Sequence, residues 1–219
     1  VSYTLSGETL ALGSISVNQA AASLDEVILI GSGVIQVAEG RRTPVAVSTI
    51  RAEEISTKAA GNVEFTEAMK NTPSVYVANQ GSGFGDSQIF LRGFDDTNTA
   101  FLLNGQPING QEDGRMYWSN WSGMSDVANA VQVQRGLGAS KLAIASVGGT
   151  INVVTRSSDM KEGGIVSSAV GNDNFLKSSF SYSTGLMKNG LSASFLLSRT
   201  RGDGYVDGTN FEGTNYFLG

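Results

Sequence analysis

The chain has 219 residues, with 20 acidic side chains against 15 basic ones, a formal net charge of −5, and neither cysteine nor histidine. The acidic balance and the scattered basic residues exclude a nucleic-acid partner, because phosphate binding needs a concentrated basic face. The missing cysteine and histidine exclude zinc sites built on those ligands, disulfides and every catalytic triad with a histidine base, so we expect no catalytic residue, metal site or cofactor.

The ends of the sequence suggest how much of the protein it represents, and its apolar runs show which kind of segment could cross a membrane. The sequence begins at Val1 and its alternating pattern still continues near Leu218, so we expect a piece of a longer protein. No apolar run approaches the roughly 18–20 residues that a membrane-spanning helix needs. A membrane role would therefore require strands, which satisfy their backbone polar groups only in a closed barrel.

The first 43 residues divide into two parts. Residues 1–22 alternate loosely between apolar and polar side chains, which predicts two short strands at the end of a small β-sandwich domain. Residues 18–23 are small and polar, as in a linker, and residues 23–43 contain a β-branched run that ends at Gly31. The run consists of Leu24, Asp25, Glu26, Val27, Ile28, Leu29 and Ile30. Such a run behind a linker can add to the edge of a partner's sheet through main-chain hydrogen bonds.

Residues 44–158 mix short helices and strands, which predicts one compact α+β domain. Helical patterns cover residues 51–58 and 63–70, with Asn62 as the N-cap of the second helix and Pro73 after its end. Further predicted elements are strands at residues 75–77, 89–94, 100–105, 131–135 and 150–155, a helix at 124–130 and a helical turn at 140–145. The strand at 100–105 ends in an Asn-Gly pair, which is typical of a hairpin turn.

The pattern changes after Gly163. Over residues 176–186 every second side chain is mainly apolar or aromatic, and serine and lysine lie between them. Residues 187–190, Met-Lys-Asn-Gly, predict a tight turn, after which the alternation returns through Phe195 and Leu197. Strands of this length and period are typical of an outer-membrane barrel. A soluble β-sandwich gives the same alternation, so the periodicity alone does not decide between them.

Five short segments occur in order along the middle of the chain. They are Asn71-Thr72-Pro73-Ser74-Val75, Ile89-Phe90-Leu91-Arg92-Gly93, Leu102-Leu103-Asn104-Gly105-Gln106-Pro107-Ile108, Val131-Gln132-Val133-Gln134-Arg135-Gly136 and Ser146-Val147-Gly148-Gly149-Thr150-Ile151-Asn152. The series resembles the plug domain of TonB-dependent outer-membrane receptors, whose blocks are Pro-Gly-Val, Ile-Arg-Gly, Val-Asp-Gly, Val-Arg-Gly and Gly-Gly-Val-Ile-Asn. Asn104 stands where that family usually has Asp, and Leu137 stands where Pro often follows Arg-Gly.

The resemblance covers about residues 24–200 and implies a domain order. Residues 23–43 would hold the TonB box, residues 24–30, and a linker. Residues 44–158 would be an α+β plug with a short mixed sheet and small helices. Residues 159–219 would be the first antiparallel strands of a transmembrane β-barrel. Residues 1–22 resemble the end of the carboxypeptidase-regulatory-like β-sandwich that often precedes such receptors in Bacteroidetes.

The resemblance also implies a function and partners. We expect active uptake of a scarce ligand across the bacterial outer membrane, with the plug gating the barrel. Siderophores, cobalamin, glycans and peptides are the ligand classes of such receptors. The expected partners are TonB, energised by the inner-membrane ExbB–ExbD motor, and the lipid of the outer membrane.

The plug motifs supply the first set of candidate site residues: Arg92, Gly93, Asn104, Gly105, Arg135, Gly136, Gly148 and Gly149. By the resemblance, Arg92 and Arg135 would pack between the plug and the barrel wall and pair with barrel acids beyond this sequence. The alternative is that each is a solvated charge at a strand end. The glycines are expected to serve turns and close backbone approach. For residues 24–30 the alternative is an ordinary strand of the N-terminal domain.

Residues 110–121 supply the candidate ligand contacts. Both tryptophans of the chain lie there, with a tyrosine and a methionine among polar groups. Aromatic faces beside hydrogen-bonding groups suit a loop that binds a sugar, a chelate or a ring. The candidates are Gln111, Arg115, Tyr117, Trp118 and Trp121. The alternative is that the two tryptophans pack this loop against the body of the domain.

Two functions from other classes compete. A dinucleotide-binding enzyme would explain Gly31-Ser32-Gly33 after an apolar run, but Gln36 stands at the third glycine of that fingerprint and no βαβ units follow. A soluble or surface adhesion module of β-sandwich type would explain the alternating strands but not the five ordered motifs. The sequence therefore favours a receptor over an enzyme.

Overall fold

The computed structural model describes residues 46–79, 84–85, 87–136, 146–155, 160–204 and 206–219. The strands are β1 (Ala46–Arg51), β2 (Val75–Ala78), β3 (Gln88–Leu91), β4 (Thr99–Leu103), β5 (Gln106–Pro107), β6 (Ala130–Arg135), β7 (Gly149–Val154), β8 (Gly163–Val170), β9 (Leu176–Ser183), β10 (Ser194–Gly202) and β11 (Phe211–Leu218). The α-helices are α1 (Ala52–Lys58) and α2 (Met124–Val127), and 3-10 turns lie at Phe65–Met69, Asp96–Asn98 and Trp118–Trp121. The predictions for residues 1–43 and for the helical turn at 140–145 lie outside the described residues.

A five-stranded mixed sheet organises the first part of the described chain. Its order is β1-β6-β7-β4-β5, in which β4 and β7 are parallel and the other neighbours are antiparallel. A separate two-stranded sheet pairs β2 with β3. The strands predicted at residues 75–77, 131–135 and 150–155 are present to within one residue. The predicted α+β domain with a short mixed sheet is therefore confirmed.

The core of this domain lies on one face of the mixed sheet. Phe101, Val131 and Ile151 project from the central strands and pack with Ile55 of α1 and Met69 of the first 3-10 turn. Each of these five side chains is almost completely buried. Burying a side chain of this size contributes about 1.5–3 kcal/mol relative to leaving it in water, so these contacts fix the short helices on the sheet.

The opposite face of the sheet is also buried, and it mixes polar side chains with apolar ones. Gln132 and Gln134 on β6 and Thr150 and Asn152 on β7 alternate with the core residues, and all four are buried. The Asn152 side-chain amide donates a hydrogen bond to the Gln132 side-chain oxygen at 3.3 Å. Strand alternation therefore gives the sheet an apolar face for its own core and a second buried face on which Leu102 and Val154 lie among the polar side chains.

Four predicted elements have other bounds in the structure. The strand predicted at residues 100–105 ends at Leu103, because Asn104 and Gly105 form a turn. The helix predicted from residue 63 is a 3-10 turn at Phe65–Met69, and Glu64 rather than Asn62 occupies its N-cap position. The strand predicted at residues 89–94 ends at Leu91, because the next two residues form a turn. The helix predicted at residues 124–130 ends at Val127, because Ala130 already pairs with Val154 in the sheet.

The strands after Gly163 form an antiparallel sheet of order β11-β10-β9-β8. The turn predicted at residues 187–190 is present: the Gly190 amide donates to the Met187 carbonyl at 2.9 Å. In register, Leu197 lies between Phe180 on β9 and Tyr216 on β11. This sheet confirms the antiparallel strands that the alternation predicted.

The two faces of the four-stranded sheet have opposite character. Its aromatic and aliphatic face is exposed: Phe180 is 45% exposed, Leu197 46% and Tyr216 79%. The other face carries Ser194 and Ser198, which are buried. A β-sandwich would bury the aromatic face between two sheets, and this structure exposes it. This exposure is the opposite of what the adhesion-module alternative predicts for the aromatic face.

Candidate functional site

The pair Arg92-Gly93 is the turn that joins β3 to its continuation at Phe94. The Leu91 amide donates to the Phe94 carbonyl at 2.9 Å, and the Phe94 amide donates back to the Leu91 carbonyl at 3.0 Å. Both central residues have positive φ, +57° for Arg92 and +81° for Gly93. This is the geometry of the tight hairpin turns with two left-handed residues, for which glycine is favoured at the second position.

The Arg92 side chain extends from this turn across Gly136. A Cβ atom added at Gly136 would lie 2.7 Å from the Arg92 Nη1 atom, the movable end of a long side chain, so glycine is favoured here mainly by its φ of +76°. The Gly136 amide donates to the Gly148 carbonyl at 3.0 Å. At Gly149, where φ is +141°, a Cβ would collide with the Gln134 carbonyl and approach Leu91 Cδ2 to 2.6 Å. The glycines therefore permit close backbone approach, as their positions in the motifs predict.

Arg135 adds the second guanidinium at the same end of the sheet. Its Nη1 atom donates to the Ser48 hydroxyl on β1 at 2.9 Å and to the Pro73 carbonyl at 3.3 Å. The Arg92 amide donates to the carbonyl of Ser74, the next residue, at 2.8 Å. Four of the five sequence motifs thus meet here. We call this cluster the arginine–glycine junction: Arg92, Gly93, Arg135, Gly136, Gly148 and Gly149.

The remaining motif, Asn104-Gly105, lies at the opposite end of β7. Asn104 and Gly105 have φ of +51° and +82° and form the turn between β4 and β5. The Asn104 side chain donates to the Thr155 hydroxyl at 2.8 Å and accepts from the Thr155 amide at 2.8 Å. The Gly105 amide donates to the Asn152 side-chain oxygen at 3.0 Å. Asparagine tolerates left-handed geometry, so the departure from Asp leaves the turn intact.

The candidate ligand loop is only partly available to a ligand. Trp118 is 4% exposed and packs in the core, edge to face with Phe101 at 5.6 Å between ring centroids. Trp121 is partly buried against the same core. For these two residues the structure supports the packing alternative, because their rings fill the space above the sheet. Gln111, Arg115 and Tyr117 are exposed, and their role in ligand binding stays a prediction.

Tyr117 is held in place by a neighbouring carboxylate. Its hydroxyl donates to Asp113 Oδ2 at 2.6 Å. This hydrogen bond, together with one from the Arg115 amide, lowers the pKa of Asp113 below its usual value. The same bond and the negative charge of Asp113 raise the pKa of Tyr117. At neutral pH the pair is therefore a carboxylate and a protonated phenol, and the phenol oxygen remains free to accept a hydrogen bond.

Asn109 anchors this loop and was missed from the sequence. Its side-chain oxygen accepts from the Phe101 amide at 2.8 Å. Its amide donates to the carbonyls of Asp96, Thr99 and Gly114 at 3.2, 3.1 and 2.9 Å. The sequence offers little sign of this anchoring role, because an asparagine after a hairpin is usually a turn residue. One side chain thus ties the exposed loop to β4.

The mixed-sheet domain contacts the polar face of the four-stranded sheet. The Lys177 ammonium on β9 lies 2.6 Å from Asp126 Oδ1 in α2. The Ser122 hydroxyl donates to the Asn215 side-chain oxygen on β11 at 2.9 Å. Phe84 stacks on Phe211 with 4.3 Å between ring centroids and 8° between ring planes. The serine-rich face therefore packs on the domain while the aromatic face points away from it.

Comparison with known families identifies the domain whose geometry is described above. The model of the family described as TonB-dependent Receptor Plug Domain matches residues 39–150, more than half of the chain. The chain belongs to this plug family. The resemblance carried by the five motifs is thereby confirmed, and residues 46–155 are called the plug below. The strands β8–β11 are called the wall strands.

Relatives of this plug protein are known receptors and transporters. The vitamin B12 transporter BtuB of Vibrio vulnificus is 28% identical over 125 residues, 57% of this chain and 20% of the transporter. The ferric enterobactin receptor PirA of Pseudomonas aeruginosa is 28% identical over 122 residues, 50% of this chain and 16% of the receptor. The chain thus spans a fifth or less of the length of these two relatives.

Solved structures share the fold. The ferripyoverdine receptor of the outer membrane of Pseudomonas aeruginosa matches with a TM-score of 0.66 and 16% identity, over 85% of this chain and 24% of that receptor. The ferric yersiniabactin uptake receptor FyuA of Yersinia pestis matches with a TM-score of 0.57 and 21% identity, over 80% of this chain and 28% of that receptor. These coverages exceed the plug alone, so the shared fold extends into the wall strands.

Three expectations about this plug protein keep their status as predictions. The TonB box at residues 24–30, and the β-sandwich of Bacteroidetes type at residues 1–22, lie outside the described residues. The pairing of Arg92 and Arg135 with barrel acids concerns residues beyond this sequence. Within the described chain both arginines contact neighbours in the plug, Gly136 for Arg92, and Ser48 and Pro73 for Arg135.

Proposed function

We propose that the complete protein is a TonB-dependent receptor that takes up a scarce ligand across the bacterial outer membrane. The observation that carries the proposal is the packing of the wall strands. Their serine-rich face contacts the plug through Lys177 and Asn215, while Phe180, Leu197 and Tyr216 face outward. A barrel embedded in lipid needs an apolar exterior and a polar interior, and this alternation supplies both.

The wall strands described here are part of a larger wall. Among the residues that the structure describes, β8 and β11 are the unpaired edges of this sheet, and an open edge within lipid would leave its backbone polar groups without hydrogen-bond partners. The relatives, five or more times longer than the matched segment, have the length to complete such a barrel. In this proposal the plug occupies the lumen and gates it.

Energy would enter through residues 24–30, the proposed TonB box. A β-branched run in extended conformation can add to the sheet edge of TonB by main-chain hydrogen bonds. The run precedes β1 by only 15 residues of chain. A pull by TonB, driven by the ExbB–ExbD motor, would therefore reach the plug at its first strand.

Metal chelates are the ligand class to test first. The relatives include a protein named for vitamin B12 and one named for ferric enterobactin. Gln111, Arg115 and Tyr117 are exposed polar side chains of the loop at residues 110–121, and they are the contacts proposed for such a ligand. Glycans and peptides remain the other two ligand classes of the proposal.

Deleting residues 24–30 from the complete receptor tests the function. The probes are radiolabelled ferric enterobactin, ferripyoverdine and cyanocobalamin, each assayed for binding to cells and for energised uptake. We expect a probe that the wild-type receptor takes up to be bound but no longer taken up after the deletion. Deletion of residues 31–37, also seven residues and in the proposed linker, is the matched control and should leave uptake intact. Uptake that persists without residues 24–30 would remove the box from the proposal.

A further inference from the structure

The outward face of the wall strands changes from apolar to charged along its length. Two neighbouring rows of this face cross β9, β10 and β11: Phe180, Leu197 and Tyr216 form one, and Ser178, Arg199 and Thr214 form the next. One step further along β10, Arg201 lies opposite Glu212. That step also holds Val170 and Leu176, so its charges are confined to β10 and β11. Because side chains on one face of a strand are about 7 Å apart, the change occurs within a single step.

The two guanidinium groups set a limit to the hydrocarbon that the wall can meet. An arginine on the lipid-facing side of a barrel is destabilising at the middle of the membrane and nearly neutral close to its surface. Arg199 and Arg201 are both exposed on the outward face. The row of Arg199 therefore belongs at the membrane surface, and the row of Leu197 is the last one inside the hydrocarbon. Tyr216 fits that last row, because aromatic side chains form a girdle at this level.

Positive charge is in excess where the two arginines lie. Arg199 pairs with Glu212, and both side chains are exposed, so the pair is weak and can be exchanged for another anion. Arg201 lies opposite the same carboxylate in register but has no hydrogen bond or ion pair with any residue that the structure describes. Two guanidinium groups thus share one carboxylate. The other carboxylates at this end lie in the turns beyond the strands: Asp173, Asp203 and Asp207.

This end of the wall lies on the same side as the candidate ligand loop, residues 110–121. Phe84 stacks on Phe211, the first residue of β11. The next residue, Gly85, packs against the loop, because a Cβ added there would lie 2.5 Å from the Ser119 Cβ. In the proposed function a ligand reaches the loop from outside the cell. The charged end of the wall therefore meets the outer leaflet of the membrane.

We infer that Arg199 and Arg201 form a binding site for a phosphate group of an outer-leaflet lipid, a phosphorylated glycolipid such as lipid A. A guanidinium is planar and donates two parallel hydrogen bonds to phosphate oxygens, which a lysine ammonium does not. The two arginines are about 7 Å apart on one face, so both can contact the headgroup of one lipid. The inference rests on the proposed function for its membrane, and its tests separate the two.

Titration with lipid A tests the site in the purified full-length receptor. The probes are hexa-acylated lipid A with both phosphates and the same lipid after removal of the phosphates, each added to the receptor in a neutral detergent and followed by native mass spectrometry. We expect the double variant Arg199→Gln/Arg201→Gln to bind phosphorylated lipid A at least roughly tenfold more weakly than the wild type, the loss of one or more charged hydrogen bonds. Binding of the dephosphorylated lipid should not change.

A variant with the opposite sign separates the site from damage to the fold. Glu212→Gln removes the carboxylate that competes for Arg199, so we expect it to tighten binding of phosphorylated lipid A by roughly threefold, in line with the small energy of an exposed ion pair. A damaged wall would not gain affinity. Unchanged or weaker binding in Glu212→Gln would contradict the inference.

The matched control is Lys188→Gln, which removes an exposed cation from the turn at the opposite end of the wall. It should leave binding of lipid A unchanged. An equal loss in Lys188→Gln, or no loss in the double arginine variant, would overturn the inference. Inorganic phosphate is the competitor that distinguishes a free anion from a lipid. Complete displacement of the lipid by millimolar phosphate would mean a site for free anions, and the assignment to a lipid would fail.

Spin labels locate the edge of the hydrocarbon without any lipid-binding assay. The sequence has no cysteine, so single cysteines are placed in the full-length receptor in liposomes after any cysteine beyond this sequence is replaced by serine. Labels at Phe180→Cys and Tyr216→Cys should be accessible to oxygen, and labels at Ser178→Cys and Thr214→Cys to a water-soluble nickel chelate. Labels of the second pair within the hydrocarbon would overturn the inference and leave the barrel standing. Water at all four positions would remove the barrel of the proposed function.

Labelling of intact cells tests which leaflet the arginines meet. A maleimide attached to a polymer too large for outer-membrane pores should react with Asp207→Cys, in the turn after β10, and not with Lys188→Cys. The reverse pattern would place the arginines at the inner leaflet and overturn the outer-leaflet site. None of these results depends on ligand uptake.

Discussion

The Lys177 ammonium lies 2.6 Å from the Asp126 carboxylate and joins the wall to the plug through side chains that are only 20% and 15% exposed. The second carboxylate oxygen of Asp126 is buried and has no hydrogen-bond partner among the described residues. Removing one partner of a partly buried pair leaves the other charge without compensation. This pair is therefore a sensitive test of how the plug is held.

We predict that Lys177→Met lowers the free energy of plug unfolding by about 1–2 kcal/mol, because the desolvated Asp126 loses its counter-charge. The double variant Asp126→Asn/Lys177→Met should recover at least half of that loss, because it removes both charges together. The measurement is the urea midpoint of the plug in the full-length receptor. Arg199→Gln is the control: it breaks the Arg199–Glu212 pair, whose side chains are 62% and 57% exposed, and should change the value by less than about 0.5 kcal/mol.

The Asn104 turn gives a second prediction. Asn104→Asp should be close to neutral, because a carboxylate can still accept from the Thr155 amide and the Thr155 hydroxyl, which Asn104 now contacts at 2.8 Å each. Asn104→Ala should destabilise the plug by about 1–3 kcal/mol, because alanine loses both bonds and must still adopt a φ of +51°. Asn120→Ala, at an exposed position in the Trp118–Trp121 turn, is the control. An Asp variant as unstable as the Ala variant would show that the amide nitrogen is essential.

The sequence predicted the Asn104-Gly105 turn because its signal is local. Arg92-Gly93 also places a glycine second in a two-residue turn, and each pair adopts positive φ, but the apolar run before Arg92 led to the prediction of a strand through Phe94. The alternation of the wall strands was also predictive, because a strand has a period of two whatever covers it. The periodicity did not show which face meets solvent. Which face packs on the plug is decided by long-range contacts such as the one between Lys177 and Asp126, 51 residues earlier.

The candidate site was less predictable where burial depends on distant contacts. Trp118 lies in a four-residue 3-10 turn, which is too short to show an apolar face by periodicity. Its burial is decided by Phe65 and Phe101, whose rings lie 6.0 and 5.6 Å away. Asn109 likewise gains its role from carbonyls on two other segments. Such non-local partners are not visible in one sequence.

The third prediction concerns the aromatic side chains of residues 110–121. Replacing a buried one should lower the free energy of unfolding, whereas replacing an exposed one should not. Trp118→Ala should destabilise the plug by about 3–5 kcal/mol, the usual loss for a large core aromatic side chain, as measured by urea unfolding. Tyr117→Phe should leave the unfolding free energy within about 0.5 kcal/mol, because Tyr117 is 52% exposed. If Tyr117 contacts ligand, the affinity for whichever chelate probe the wild type binds should fall in Tyr117→Phe. A Trp118→Ala plug with unchanged stability would contradict its place in the core.

The Asp113–Tyr117 pair makes a prediction about pH. The hydrogen bond from Tyr117 lowers the pKa of Asp113 below its reference value of 3.8. A carboxylate with a lowered folded-state pKa contributes stability above its unfolded pKa and loses that contribution as the pH falls through the folded value. Loop residues 110–117 should therefore keep their structure down to about pH 4 and loosen only in more acidic solution.

Carbon NMR of the Asp113 carboxyl group in the full-length receptor measures this titration. We expect a midpoint below 3.8 in the wild type and a higher midpoint in Tyr117→Phe, because the largest cause of the lowered pKa is the tyrosine hydroxyl. Tyr216→Phe, which removes an exposed hydroxyl from β11, is the control and should leave the Asp113 midpoint where it was. An unchanged midpoint in Tyr117→Phe would mean that the Arg115 amide alone stabilises the carboxylate, and Tyr117 would then be free to turn away from Asp113 when a ligand arrives.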